Sequence, residues 1–242
     1  MPMSDFSQIT ALILAGGLGT RLQKVVSDRS KVMAEINGKS FLCYLLDQLA
    51  EADIERAVVS TGYMAEQIEE RIGGKYKDVE IVYSKEENPL GTGGALKLAV
   101  RVIGTKYCLV MNGDSYTEFD PASLLMNHKK SDSSITIVVK EVKDSSRYGT
   151  IQMDEQNKIV EFTEKGRTAA RGLINAGVYI IENLALQEIP GKIPCSLEHD
   201  FFPFMIERGI NGYKTGGRFI DIGTPKSYAK AEKFFEDLPV PK

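Results

Sequence analysis

The chain is poor in the residues that staple small or metal-dependent folds. It has three cysteines, Cys43, Cys108 and Cys195, far apart and without a Cys-x-x-Cys pair. This argues against a zinc site or a disulfide framework. Free thiols, buried in apolar or mixed surroundings in a reducing compartment, are expected instead. No apolar run approaches the ~20 residues of a membrane span, so no membrane partner is expected. The first ten residues are polar, without the basic-then-apolar order of a secretion signal. A cytoplasmic location is the expectation. Excess charge of one sign is also missing. The 30 Lys and Arg nearly cancel the 33 Asp and Glu, leaving a formal net charge of −3. That excludes a protein held to nucleic acid mainly through phosphates, but leaves room for a local anion site. Linkers, repeats and low-complexity tracts are absent too.

What is present is an ordinary globular composition. The 242 residues are 43% hydrophobic and 26% charged, enough for a sizeable core. That length allows one large α/β domain or two small ones. Short apolar runs at 9–15, 56–60, 79–83 and 107–111 read as strands. Between them, 41–50, 64–72 and 93–103 read as helices. This alternation predicts a mostly parallel sheet with helices on both faces. Such sheets bind ligands beyond the carboxyl ends of their strands. The loops at Gly16, Gly62, Glu86 and Gly113 are therefore expected on one rim. After about Asp120 the pattern changes. Strands are predicted at 134–140, 149–153, 158–162 and 172–181, and helices at 199–208 and 225–235. The second half reads as a lobe on the same sheet. One domain over 1–242 is expected, with halves at about 1–118 and about 119–242.

The strongest local feature follows the first strand: Leu14-Ala15-Gly16-Gly17-Leu18-Gly19-Thr20-Arg21-Leu22. Three glycines in four positions let backbone N–H groups approach an anion. Arg21 adds a fork of donors for phosphate oxygens, and Lys31 adds a point charge. Together they suggest a nucleoside triphosphate cradle. The P-loop is excluded, because no Gly-Lys-Ser/Thr follows. The dinucleotide fingerprint fails as well, since Leu22 stands where its third glycine would be. A plain glycine turn is the alternative on this motif alone.

The motif with Lys31 resembles the signature of the sugar-1-phosphate nucleotidyltransferases. The resemblance continues through Pro89-Leu90-Gly91-Thr92-Gly93-Gly94-Ala95, Asn112-Gly113-Asp114, Glu164-Lys165, Asn175-Ala176-Gly177 and Phe219-Ile220-Asp221-Ile222-Gly223-Thr224-Pro225. It spans nearly the whole chain, in order. One departure is Ser30-Lys31-Val32, where the family usually has Pro-Lys-Pro. Prolines would fix the backbone on both sides of the lysine. The resemblance implies a Rossmann-like three-layer αβα fold of the nucleotide-diphospho-sugar transferase type, with a nucleotide-binding half at about 1–118 and a sugar-phosphate-binding lobe at about 119–242.

It also implies the chemistry. Such enzymes join a nucleoside triphosphate to a sugar 1-phosphate and release pyrophosphate. Both reactants are anionic, so neutralisation and alignment dominate. The resemblance makes Asp114 and Asp221 the ligands of Mg²⁺, a metal suited to carboxylate and phosphate oxygens. It assigns Arg21 to the leaving pyrophosphate, Lys31 to the triphosphate and Lys165 to the sugar phosphate. Leu14, Ala15, Gly16, Gly17, Gly19, Thr20, Gly91, Thr92 and Gly113 are expected around the nucleotide. Gly149, Glu164, Lys165 and Asn175 are expected around the sugar phosphate. A sugar phosphate is already ionised near neutral pH, so His128 and His199 are not needed as bases. Surface or capping roles are expected for both.

Glu86 bears on the base. Related uridylyl- and thymidylyltransferases carry Gln there, which suits the imide edge of uracil or thymine. A carboxylate only accepts, and guanine offers two adjacent donors. GTP is therefore the predicted nucleotide, with a solvated Glu86 as the bland alternative. The short chain, the Gly91-Thr92-Gly93-Gly94 segment and Glu86 together look most like the D-glycero-α-D-manno-heptose-1-phosphate guanylyltransferases, which make GDP-heptose for surface polysaccharide. Mannose-1-phosphate guanylyltransferases are the nearest rivals, ahead of uridylyl-, thymidylyl- and cytidylyltransferases. From other classes, a nicotinamide-dependent oxidoreductase has only the glycine turn in its favour. A non-catalytic nucleotide-sugar-binding regulator stays open. A homodimer is the default expectation for a soluble enzyme.

Overall fold

The computed structural model describes residues 6–23, 25–163 and 170–236. In chain order the strands are β1 (Ile9–Leu14), β2 (Glu35–Ile36), β3 (Lys39–Ser40), β4 (Arg56–Thr61), β5 (Lys75–Tyr76), β6 (Val79–Lys85), β7 (Tyr107–Asn112), β8 (Ser115–Thr117), β9 (Ile135–Val142), β10 (Thr150–Met153), β11 (Ile159–Thr163), β12 (Gly172–Glu182), β13 (Ile210–Thr215) and β14 (Phe219–Asp221). The α-helices are α1 (Phe41–Glu51), α2 (Ala65–Ile72), α3 (Gly91–Ala99), α4 (Pro121–Lys130), α5 (Asn183–Leu186), α6 (Phe202–Met205), α7 (Pro225–Tyr228) and α8 (Ala231–Glu236).

One sheet of ten strands runs through both halves of the sequence. Its β7-β1-β4-β6 stretch is parallel throughout. The β12 strand joins antiparallel to β7 and carries β9 and β10, and β13 adds parallel to β9. The apolar run Ile9–Leu14 forms β1 because both of its faces are covered. Ala11 and Ile13 pack into one core with Phe41, Leu42, Leu45, Leu46 and Leu49 of α1. Leu12 packs into the other with Leu96 of α3 and Val110. Burying each large aliphatic side chain contributes roughly 1.5–3 kcal/mol. The layers are helix, sheet, helix, as the strand–helix alternation predicts.

Local chemistry explains the differences from the predicted elements. The 199–208 segment is not one helix. Pro203 lacks an N–H and crowds the preceding turn. The chain makes a wide turn over Leu197–Phe201, then the short α6, then a tight turn over Ile206–Arg208. The 225–235 segment splits into α7 and α8. Helix α4 is absent from the predicted elements because few of its residues face the core: Leu124, Leu125 and His128. Its start is nonetheless written in the sequence. Asp120 accepts from Ala122 N (3.1 Å), and Pro121 sits in the first turn.

The surface or capping role expected of His128 does not hold: the residue is 3% exposed, in the core. Its Nδ1 lies 2.8 Å from Thr136 Oγ1, and Tyr107 packs edge-on against its ring. Of the thiols, Cys108 and Cys195 are buried and Cys43 is half-buried; all three are free. Among the described residues, no helix is long and apolar enough to cross a membrane.

Candidate active site

The carboxyl ends of β1, β4, β6 and β7 gather the predicted loops on one rim. Ala15 N donates to Ser60 O (2.8 Å), Glu86 N to Thr61 O (2.9 Å) and Gly113 N to Leu14 O (3.0 Å). These bonds lock the glycine loop against its neighbours. The Glu86 carboxylate folds over the loop. Any side chain at Gly16 would collide with Glu86 Oε1. Leu90 N donates to Glu86 Oε2 (3.0 Å). Burial raises the Glu86 pKa above its usual value, opposed by that backbone bond.

Below the rim lies a cleft of about 1190 Å³. Leu14, Ala15, Gly16, Gly17, Gly19, Thr20, Arg21, Lys31, Glu86, Gly91, Thr92, Gly113, Asp114, Gly149, Asn175 and Asp221 all line it. Two expected site residues, Glu164 and Lys165, lie outside the described residues.

The two aspartates come from opposite halves of the chain. Strands β8 and β14 pair antiparallel, with Asp221 opposite Ser115. Ile222 N then donates to Asp114 O (2.9 Å), so the two residues meet at the end of one ladder. Lys31 Nζ binds Asp114 Oδ2 at 2.6 Å. Asp221 is held by more donors. Tyr148 Oη donates to Oδ2 (2.6 Å), Arg147 Nη2 to both oxygens (3.1 Å each), and Gly223 N (2.9 Å) and Ser227 Oγ (3.1 Å) to Oδ1. Burial pushes the Asp221 pKa up, but the bonds from Tyr148 and Gly223, with Arg147, outweigh it and hold the carboxyl below its usual range. Arg21 belongs to the same group. A Cβ on Gly223 would lie 3.0 Å from Asp221 Oδ1 and 3.6 Å from both Arg21 Nη2 and Lys31 Nζ. Around the two aspartates the cations Arg21, Lys31 and Arg147 outnumber the carboxylates three to two, a balance suited to phosphates, while Glu86 and Glu198 line other parts of the cleft.

The Gly91-Thr92-Gly93-Gly94 segment has a structural task. It opens α3, and Gly93 N and Gly94 N both donate to Cys195 O (2.8 and 3.3 Å). Thr92 Oγ1 accepts from Leu197 N (2.9 Å) and donates to Glu198 Oε2 (3.2 Å). The glycine segment thus docks the Cys195–Glu198 chain from the second half. On the same wall Asn175 Nδ2 donates to Tyr179 Oη (2.9 Å). Sequence reasoning missed Arg147, Tyr148 and Glu198. The first two immediately precede Gly149, which the family resemblance places around the sugar phosphate. Glu198 carries no such marker, because a lone acid in a polar turn looks like a solvated side chain.

The fold and site define a phosphate-handling α/β enzyme built around a glycine loop and paired carboxylates. Comparison with known proteins agrees. Residues 10–237 match the family described as Nucleotidyl transferase. The chain is 37% identical over 224 residues to D-glycero-alpha-D-manno-heptose 1-phosphate guanylyltransferase of Aneurinibacillus thermoaerophilus, covering 92% of this chain and 96% of that one. It is 33% identical to the Mannose-1-phosphate guanylyltransferase of Mycobacterium tuberculosis, covering 92% of this chain but 63% of that one. The crystal structure of HddC from Yersinia pseudotuberculosis complexed with GMP-PN superposes with a TM-score of 0.83 at 36% identity, covering 93% of this chain and 99% of that one. The chain belongs to the nucleotidyl transferase family, and it has the fold of the nucleotide-diphospho-sugar transferases.

Proposed function

We propose that the chain transfers GMP from GTP to D-glycero-α-D-manno-heptose 1-phosphate, giving GDP-heptose and pyrophosphate. The observation that carries the base is Glu86. Its half-buried carboxylate sits beside the glycine loop, where an acceptor-only group matches the adjacent N1–H and N2–H₂ donors of guanine. Uracil and thymine present an acceptor on each side of their single imide donor and fit a carboxylate poorly. The heptose assignment is supported by the relatives of that activity, matched over nearly their whole length. The mannose enzymes support a second reading, with mannose 1-phosphate as acceptor.

In this reading a sugar-phosphate oxygen attacks the α-phosphorus in line. The new P–O bond forms as the bond to the β-phosphate oxygen breaks, and the electron pair leaves with pyrophosphate. Arg21 and Lys31 steady the triphosphate and the leaving group. A guanidinium stays charged at any working pH, which suits a group that meets a departing anion. Lys165 neutralises the sugar phosphate. The glycine loop and Thr20 bring backbone N–H groups to the nucleotide, and Gly113, whose own N–H is spent on Leu14 O, lines the same cleft. No general base is required. Asp114 and Asp221 fit Mg²⁺, which takes one or two carboxylates and completes its shell with phosphate oxygens and water. When bound there, the metal would neutralise phosphate charge.

The test is pyrophosphate release with Mg²⁺ for GTP, UTP, dTTP and CTP against glucose, mannose and D-glycero-α-D-manno-heptose 1-phosphates. Turnover is expected with GTP and heptose 1-phosphate. Preference for another nucleotide overturns the base assignment, and preference for mannose 1-phosphate selects the second reading.

A further inference from the structure

One carboxylate in the cleft has no place in the scheme above. Glu198 lines the same cleft as Asn175 and the glycine loop. It sits in the wide turn Leu197–Phe201, and that turn is fixed from several directions. Ser196 Oγ accepts from His199 N (3.2 Å), and Ser196 N donates to Asp200 Oδ2 (2.7 Å). Thr92 Oγ1 and Ser196 Oγ both donate to Glu198 Oε2, at 3.2 and 3.1 Å. Tyr179 Oη lies 3.5 Å from Oε1. Tyr179 is fully buried, so its hydroxyl sets the core side of the carboxylate's surroundings through a long contact.

Two features make this arrangement unusual. First, among the described residues Glu198, like Glu86 at the rim, forms no ion pair, whereas Asp114, Asp221 and nearby Asp200 each do. An ionised carboxylate without a cation, in a cleft that is otherwise built for anions, repels phosphate and needs donors that carry no negative charge. Second, the neighbouring amide is half spent. Asn175 Oδ1 accepts from Gly177 N (2.9 Å), and its Nδ2 donates to Tyr179. Asn175 keeps one N–H and one lone pair for a ligand, whereas Glu198 Oε1 has only the long Tyr179 contact and keeps more open acceptor capacity.

We propose that Glu198 is a specificity-determining residue that accepts hydrogen bonds from hydroxyls of the sugar ring, on the side away from the phosphate. The ligand class is a polyhydroxylated sugar 1-phosphate, and the inference rests on the reaction proposed above. The hydroxyls of Thr92 and Ser196 hold the carboxylate, with Tyr179 behind it, so that little is reorganised when the sugar arrives. Because Thr92 belongs to the segment that opens α3, the same contact ties the sugar wall to the nucleotide side of the cleft.

The test uses Glu198→Gln, which keeps the shape and removes the charge, and Glu198→Asp, which keeps the charge and shortens the reach. Calorimetric binding of the sugar 1-phosphate and of GTP is measured for each, with thermal unfolding midpoints. A loss of roughly tenfold or more in sugar 1-phosphate affinity is expected for both variants, with GTP affinity within about twofold and the midpoint little changed. Ring-monodeoxy analogues of the sugar 1-phosphate give a second readout. The wild type is expected to lose affinity on removal of one hydroxyl, and Glu198→Gln to be nearly indifferent to it. Equal losses for GTP and sugar, or an unfolding midpoint that falls with them, would make Glu198 a strut between α3 and the 197–201 turn and overturn the proposal. Loss of Mn²⁺ binding in Glu198→Gln would also overturn it, by assigning the carboxylate to metal. Binding does not depend on turnover. Absence of pyrophosphate release by the wild type therefore strikes the proposed reaction, and is read separately from sugar recognition.

Discussion

Asp114 and Asp221 are brought together by backbone pairing, not by side-chain attraction: Ile222 N donates to Asp114 O, one step beyond the Asp221–Ser115 pair. Two like charges placed together would repel. The site offsets this with Lys31 on Asp114 and with Arg147 and Tyr148 on Asp221. The register of a two-strand ladder thereby fixes the geometry of the proposed reaction centre.

Each aspartate is expected to be indispensable if the pair binds metal. Asp114→Asn and Asp221→Asn keep the shape and remove one negative charge. A fall in kcat of roughly a hundredfold or more is expected for each, the scale of losing one preorganised electrostatic contact to the transition state. Mn²⁺ binding followed by electron paramagnetic resonance, with GTP present, should weaken in parallel. Unchanged Mn²⁺ affinity in both variants would move the metal elsewhere.

Glu86 is expected to set the base. In Glu86→Gln one oxygen acceptor becomes an amide donor facing guanine. The kcat/KM for GTP should fall by about tenfold to a hundredfold, while that for UTP or dTTP holds or rises. A competition assay with mixed nucleotides measures this ratio directly. A ratio that does not move would leave guanine selection to backbone groups of the glycine loop.

The first half is largely legible because its signals are local. A buried parallel strand followed by glycines, then an amphipathic helix, reads directly from apolar spacing. The rim residues Gly16, Glu86 and Gly113 follow from strand ends alone. The meeting of Asp114 with Asp221 does not follow from spacing, since it depends on the pairing of β8 and β14, three residues each. Glu198 is illegible for the same reason. Its partners Thr92 and Tyr179 lie on separate elements, and only tertiary packing joins them. The 199–208 segment misleads because its apolar residues keep a helical period, while Pro203 denies the backbone one hydrogen bond.

Gly91 is expected to be needed for folding as well as for binding. Its φ is +77°, and any side chain there would collide with the Cys195 carbonyl oxygen. Gly91→Ala therefore combines a disfavoured backbone conformation with displacement of the Cys195–Glu198 chain. A loss of about 1–3 kcal/mol in urea unfolding is expected. Gly74 is the control, because the place its Cβ would take is open, with no atom within 4 Å. Gly74→Ala should change stability by no more than about 1 kcal/mol. Equal effects at the two sites would mean that the Cys195 contact is not rigid.

His128 gives the protein an acid-sensitive core. Its ring is buried between α4 and the sheet, and burial pushes its pKa down to about 4 from the ordinary 6.5, aided by the charges of Lys106 and Lys129. In the unfolded chain the imidazole binds a proton at the ordinary value. Between about pH 6.5 and pH 4 the unfolded state therefore takes up a proton that the folded state refuses. Stability is full above pH 6.5, falls as the pH drops through that window and levels off below about pH 4. The shift corresponds to about 3 kcal/mol. Replacing the ring by a neutral group of related shape, His128→Asn, should lower stability at pH 7, where the bond to Thr136 is weakened. It should also flatten the pH dependence between 6.5 and 4. Urea unfolding of both proteins at pH 7, 6, 5 and 4.5 tests this. If the two stability curves stay parallel across the window, the acid sensitivity belongs to other groups.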